Sequence, residues 1–243
     1  MKAIILSAGQ GGRLLPLTET IPKCLLTIGE QTILAHQIQN LNHCGIVDIT
    51  VVTGFAAGAV ETALCELSTA EQVPSCVFNP FFNVADNLAS CWMARHAMAE
   101  DFILLNGDTM FEPAVCETLL QAPEAPVSMA IDHKSKYDSD DMKIRIAGTK
   151  LVEVGKSIEE NNIDGESIGM IRFSGTGPAR FVEILDQIMR TPNSLNWWYL
   201  KAVGILAERG LVETQSIEGL QWGEIDFLQD LEKVRVMFNT DTA

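Results

Sequence analysis

Residues 1–26 read MKAIILSAGQGGRLLPLTETIPKCLL, and this stretch decides the fold. The apolar run Lys2–Ser7 stops at a glycine cluster, Gly9-Gln10-Gly11-Gly12-Arg13. A strand without polar alternation is buried on both faces, as in a parallel sheet covered by helices. Glycines after such a strand permit positive φ and let the backbone approach a ligand closely. Successive N–H groups in the loop can then cradle phosphate oxygens. Arg13 lies inside the loop and offers a planar fork for those oxygens. Lys23 follows Pro22, whose fixed φ limits the local backbone. Two cations beside a glycine nest predict a site for several phosphates; the alternative for each is a solvated loop cation. The dinucleotide fingerprint GxGxxG is excluded, because its last glycine would stand where Leu14 does, and no GK[ST] closes a Walker loop.

Downstream, helical and β-rich text alternate. Helical spacing predicts helices over Thr32–Cys44, Ala56–Leu67 and Asp86–Met98. Strands are expected at Val47–Thr53, Ser75–Asn79 and Phe102–Leu105. The order is strand, helix, strand, helix, which predicts an α/β fold with a Rossmann-like, mostly parallel central sheet flanked by helices. Ligands in such sheets bind beyond the carboxyl ends of the strands. Both Gly9–Arg13 and Gly107-Asp108 lie at such ends. After about residue 125 the pattern changes. Val127–Ile131, Met142–Ile146, Leu151–Val154 and Ser167–Phe173 read as strands, forming a β-rich insert. Helices are expected over Pro178–Met189 and Leu195–Arg209, and short strands over Val212–Ser216 and Val234–Met237. One domain over 1–243 is expected, with 1–125 as a nucleotide-binding half and 126–243 as an acceptor-binding and C-terminal half.

The bulk numbers narrow the function. The chain has 243 residues, 32 acidic against 17 basic, and a formal net charge of -15. So acidic a chain repels a nucleic-acid backbone, and no nucleic-acid partner is expected. None of the six cysteines is spaced CxxC, and the four histidines form no HExxH, so zinc is not expected. No apolar run approaches the roughly 20 residues that span a bilayer. Ala3–Leu6 is too short for a signal-peptide core. A cytoplasmic protein without membrane insertion is expected.

Chemistry at phosphate concentrates negative charge, which a divalent ion neutralises. Mg²⁺ prefers oxygen ligands. A strand-end carboxylate joined by a distant second is therefore the arrangement to seek. Asp108 in LLNGDTMF is the first candidate, with a turn or helix-cap aspartate as its alternative. The second lies in GLQWGEIDFLQDLEKV, where Glu224 and Asp226 would share one face of a strand. Spacing alone does not choose between them.

The stretch LSAGQGGRLLPLTETIPKCLL resembles the signature of the sugar-nucleotidyltransferase-like superfamily, roughly L-A-A-G-x-G-[TS]-R-L-x-P-L-T-x-x-x-P-K-x-L. Leu6, Ala8, Gly9, Gly11, Arg13, Leu14, Pro16, Leu17, Thr18, Pro22, Lys23 and Leu25 fall on it. Ser7 replaces an alanine, and Gly12 replaces a threonine or serine. The late motif resembles W-x-E-I-D-T-x-x-D-L, with Phe227 at the threonine. The resemblance implies a nucleotide-diphospho-sugar transferase-like fold. It implies metal ligation by Asp108 and Asp226, Mg²⁺ as cofactor, and catalytic roles for Arg13, Lys23, Asp108 and Asp226. Leu6, Ala8, Gly9, Gly11 and Gly12 would bind the nucleotide, and Asn87 and Ser90 match an N-x-x-S helix start that does so. The implied reaction is attack by an acceptor phosphate or phosphonate oxygen on the α-phosphorus of a nucleoside triphosphate, releasing pyrophosphate. An acceptor phosphate, with a second pKa of about 6, is already ionised near neutral pH. No serine nucleophile or histidine base is then required.

The forms NGD and WGEID resemble the small cytidylyltransferases that activate choline phosphate, inositol phosphate or phosphonates. CTP and a small acceptor such as phosphocholine, 2-aminoethylphosphonate or inositol phosphate are the expected partners. Lys143, in DDMKIRI, is the preferred ligand for the acceptor phosphate over Lys156, with a solvated edge-strand lysine as the alternative. Glu166 and Trp198-Tyr199 would shape the pocket. Two other readings stand beside this one: a sugar-1-phosphate nucleotidyltransferase using UTP, dTTP or GTP, and a non-catalytic nucleotide-binding regulatory subunit.

Overall fold

A computed structural model describes residues 1–69 and 72–238. The first half runs β1 (Lys2–Ser7), β2 (Thr27–Ile28), β3 (Gln31–Thr32), α1 (Ile33–His43), β4 (Asp48–Thr53), α2 (Ala57–Leu67), β5 (Ser75–Phe78), α3 (Asn87–Met93), β6 (Phe102–Asn106), β7 (Thr109–Phe111) and α4 (Pro113–Gln121). The second runs β8 (Val127–Asp132), β9 (Lys143–Ala147), β10 (Lys150–Gly155), β11 (Gly165–Phe173), α5 (Gly177–Ile188), α6 (Leu200–Glu208), β12 (Val212–Ser216), β13 (Trp222–Glu224) and α7 (Leu228–Phe238).

The large sheet has the order β5-β4-β1-β6-β11-β8-β12-β10-β9. β1 lies between β4 and β6, parallel to both. Its alternate side chains feed two cores, Ile4 into one and Ala3 with Ile5 into the other. This is why no polar residue interrupts the run: a strand's side chains alternate between faces, and both faces here are covered. On one face Phe102 stacks on Phe173 at 4.6 Å between ring centres, and Phe173 meets Phe181 at 4.4 Å.

The expectation of a mostly parallel sheet is corrected. β11 runs antiparallel to β6, β8 and β9, and β10 runs antiparallel to β9 and β12. The first half is parallel because helices connect its strands. In the second half the tight turn at Gly148 joins β9 directly to β10, and such turns make antiparallel pairs. β11 also pairs with β9 through Gly165 and Glu166, so β11, β8, β12, β10 and β9 close a ring. A register shift between Ser167 and Ile171 accompanies this, at Gly169 with φ 75°. β11 advances four residues there while β8 advances two, and extra residues of this kind bend a strand toward a new neighbour.

Further differences are local. Val234–Met237 is not a strand but the last part of α7, where Leu231 and Val234, three apart, are buried. The alternation of Val234 and Val236 imitates a strand, but Val236 is 83% exposed. The expected helix Asp86–Met98 ends at Met93 and continues only as a tight turn over Arg95–Ala97. The helix expected from Leu195 starts at Leu200, because Leu195 O and Trp197 O instead accept from Asp86 N–H and Leu88 N–H. Among the described residues no helix is long and apolar enough to cross a membrane.

Candidate active site

The carboxyl ends of β1 and β6 meet at one edge of the sheet. Gly107 N–H donates to Leu6 O at 3.0 Å. A Cβ on Gly107 would lie 2.6 Å from Leu6 O, so only glycine allows this approach. The chain then passes through Asp108 into β7, which leaves the large sheet and pairs with β13, Thr109 opposite Glu224. Ile225 N–H donates to Asp108 O at 3.2 Å. This short ribbon brings Asp226 beside Asp108, although the two are remote in sequence.

The glycine loop supplies the cation between them. Gly11 has φ 77°, and a Cβ there would lie 3.0 Å from Lys23 Cβ and 3.1 Å from its Cδ. The lysine stem therefore packs on a bare Cα. The buried Thr18 hydroxyl donates to Gly11 O at 2.7 Å and ties the loop. Lys23 Nζ donates to Asp108 Oδ2 at 2.7 Å and to Asp226 Oδ1 at 2.8 Å. Burial alone would lower the Lys23 pKa, but the charges of Asp108 and Asp226 outweigh it and hold the group well above the usual lysine range. Burial would likewise raise Asp226, but Lys23 and then Arg13 hold it below the usual carboxylate range. Glu224 opens to solvent through the same cleft. Its carboxyl is pushed up, first by the enclosing protein walls and then by the charges of Asp108 and Asp226.

A second charged cluster flanks the first. Arg13 Nη1 lies 3.3 Å from Asp226 Oδ2, and Nη2 lies 3.5 Å from Asp140 Oδ1. Lys156 Nζ lies 3.3 Å from the same Asp140 oxygen and 4.6 Å from the centre of the Trp198 ring. These groups line a cleft of about 380 Å³ at the strand ends. That volume falls within the usual range for small-molecule sites, roughly 300–1,000 Å³.

The cleft gathers most of the residues singled out in the sequence: Leu6, Ala8, Gly9, Gly11, Arg13, Lys23, Asn87, Ser90, Asp108 and Asp226 all line it. Asn87 Oδ1 accepts from Tyr199 N–H at 2.9 Å, and Ser90 Oγ accepts from Asn79 Nδ2 at 3.0 Å. Gly12 stands outside the lining, and a Cβ there would meet nothing within 4 Å; no contact explains its lack of a side chain. Lys143 and Glu166 are not brought to the cleft. Lys143 is buried, and its ammonium donates to Asp138 O at 2.6 Å and Lys156 O at 3.1 Å. Glu166 is buried against Lys134 Nζ at 2.9 Å. Lys156, not Lys143, is the lysine of this region that lines the cleft. In the sequence Asp140 is legible only as part of a charged turn, because nothing in its spacing shows that it faces Arg13 and Lys156.

Glu166 carries a testable consequence. Burial pushes its carboxyl up to about 7, with Lys134 opposing the rise. A folded-state pKa above the unfolded one means stability present below the unfolded pKa and lost as pH rises through about 7. Glu166→Gln has no such loss. Its stability relative to wild type, measured by urea unfolding, is expected to rise between pH 5 and pH 8. An unchanged difference would contradict this placement.

Among the described residues no group of three or more His, Cys, Asp or Glu forms a metal cluster. The chemistry of Asp108 and Asp226 still suits a hard cation. Their carboxylates share one ammonium, and Asp108 Oδ1 is buried without a hydrogen-bond partner. Mg²⁺ is commonly held by one or two carboxylates together with substrate phosphates.

Comparison with known proteins agrees with this geometry. Residues 2–137 match the profile of a family described as nucleotidyl transferase. A CMP-5'-(3-aminopropyl)phosphonate synthase from Streptomyces rubellomurinus is 37% identical over 128 residues, 51% of this chain and 20% of that protein. A CTP:phosphoglutamine cytidylyltransferase from Campylobacter jejuni is 26% identical over 254 residues, 96% of this chain and 98% of that protein. The structure of a CTP:phosphocholine cytidylyltransferase from Streptococcus pneumoniae superposes with a TM-score of 0.76 at 20% identity, covering 97% of this chain and 98% of that one. At that identity the likeness concerns the fold.

Proposed function

Because the chain belongs to the nucleotidyl transferase family, we propose that it is a cytidylyltransferase, moving a CMP group from CTP to a small phosphate or phosphonate acceptor. The observation that carries this reading is Lys23 Nζ held between Asp108 and Asp226 at the end of a glycine-rich loop. The choice of CTP rests on similarity to the Streptomyces and Campylobacter proteins, both named for cytidylyl chemistry.

In this reading the triphosphate lies along the backbone of residues 8–11, with Arg13 and Lys23 binding its oxygens. Asn87 and Ser90 line the part of the cleft that takes the base. Lys156 receives the acceptor phosphate, since the Lys143 ammonium is already satisfied by backbone carbonyls. Asp108 and Asp226 would hold Mg²⁺, which when bound neutralises phosphate charge and orients the reacting groups. An acceptor oxygen attacks the α-phosphorus, the bond from α-phosphorus to the bridging oxygen breaks, and pyrophosphate leaves with that electron pair. Lys23 and Arg13 face the charge that develops on the departing pyrophosphate.

The test is pyrophosphate release from a matrix of CTP, UTP, ATP, GTP and dTTP against phosphocholine, 2-aminoethylphosphonate, inositol phosphate and hexose 1-phosphates. Turnover is expected with CTP and a non-sugar acceptor. Preference for UTP or dTTP with a hexose 1-phosphate would replace this reading with sugar activation.

A further inference from the structure

We propose that Phe227 is a positioning residue for Arg13: its ring supports the guanidinium at the cleft mouth without competing for the guanidinium's hydrogen bonds. The inference rests on the reading of Arg13 as a ligand of the triphosphate.

Arg13 Cζ lies over the Phe227 ring, 5.2 Å from its centre. Its other partners are anions, Asp226 on one side and Asp140 on the other. Each carboxylate competes with an incoming phosphate for the same N–H donors. An aromatic ring attracts the cation through its π-face and leaves those in-plane donors free. Of the three partners, only the ring can therefore keep its hold while Arg13 binds phosphate and Asp226 is engaged elsewhere.

The helix that follows fixes the backbone that carries the ring. Phe227 N–H donates to Asp230 Oδ2 at 2.9 Å. Phe227 O accepts from Asp230 N–H at 3.0 Å and Leu231 N–H at 3.1 Å. Its backbone is thus pinned at the start of α7, whose Leu231 is buried. The side chain itself belongs to no core cluster and is 44% exposed. A large apolar side chain left partly exposed against a cation of the cleft is accounted for by that contact.

The experiment compares wild type, F227L, F227Y, R13A and R13A/F227L in steady-state assays, varying the nucleotide that supports turnover. An exposed cation–π contact predicts a loss of about two- to fivefold in kcat/KM for the nucleotide in F227L. The KM for the acceptor should not move. F227Y, which keeps the ring, should match wild type. In the R13A background, F227L should add nothing. An unchanged nucleotide kcat/KM in F227L beside a strong loss in R13A overturns the proposal and leaves the phosphate role of Arg13 intact. An equal F227L loss with and without Arg13 also overturns it. If R13A itself has no effect, the phosphate reading of Arg13 fails, and the role of Phe227 with it.

Discussion

Replacing Lys23 with methionine is expected to lower kcat by about 10²–10³-fold at saturating nucleotide, the range seen when one group that stabilises a developing oxyanion is removed. Methionine keeps an unbranched stem to pack on Gly11 and deletes only the ammonium. Among the described residues that ammonium is the one cation bonded to both Asp108 and Asp226, at 2.7 and 2.8 Å. Without it, two carboxylates face each other where a triphosphate must enter, and each repels the phosphates and the other. The loss should appear in kcat and not only in KM, because charge on the departing pyrophosphate grows as the bond breaks. Arginine should rescue poorly: its planar fork cannot occupy the single point that a compact ammonium shares between two oxygens. Near-UV circular dichroism would establish that K23M is folded. A folded K23M enzyme retaining more than about a tenth of wild-type kcat would remove Lys23 from the chemistry.

Asp108→Asn is expected to raise the Mg²⁺ concentration for half-maximal rate at least about tenfold and to lower maximal turnover about 10²-fold. Asparagine has nearly the same shape and can still accept from Lys23, so packing and loop geometry survive. What disappears is the charge, and with it the second anionic oxygen, Oδ1, which is buried and lacks a hydrogen-bond partner. The ribbon of β7 and β13 holds Asp108 beside Asp226, so the same substitution at Asp226 should act in the same direction. Calorimetric titration of Mg²⁺ in the presence of a non-hydrolysable nucleotide provides a readout apart from turnover. An unchanged Mg²⁺ dependence in D108N would show that the metal is held elsewhere.

The legible parts of this molecule are those with local causes. Lys2–Ser7 reads as a doubly covered strand because Ala3, Ile4, Ile5 and Leu6 pack alternately into two cores. The glycine loop, Arg13, Lys23, Asp108 and Asp226 announce themselves by residue type next to strand ends, and the structure gathers them in one cleft. What stays hidden depends on long-range pairing. Nothing in the spacing of Gly165 and Glu166 shows that β11 returns to β9 and closes a ring. The sequence favours Lys143, yet its ammonium is spent on the carbonyls of Asp138 and Lys156, while Lys156 faces the cleft. The end of helix α7 reads as a strand because Val234 and Val236 alternate. The bond from Phe227 N–H to Asp230 Oδ2, which closes the start of that helix, is not legible in the sequence. The choice between Glu224 and Asp226 is open on spacing. In the structure both line the cleft, and Asp226 is the one paired with Lys23 and Arg13.

The most direct test that an acceptor oxygen attacks phosphorus follows oxygen rather than rate. The enzyme is incubated with CTP, Mg²⁺ and an acceptor whose non-ester phosphate or phosphonate oxygens are labelled with ¹⁸O, and the products are weighed by mass spectrometry. If an acceptor oxygen attacks the α-phosphorus, every labelled oxygen stays in the CMP-linked product, one of them as the new bridge, and the pyrophosphate is unlabelled. CMP carrying a solvent oxygen, an unlabelled bridge, or label in the pyrophosphate would contradict that route.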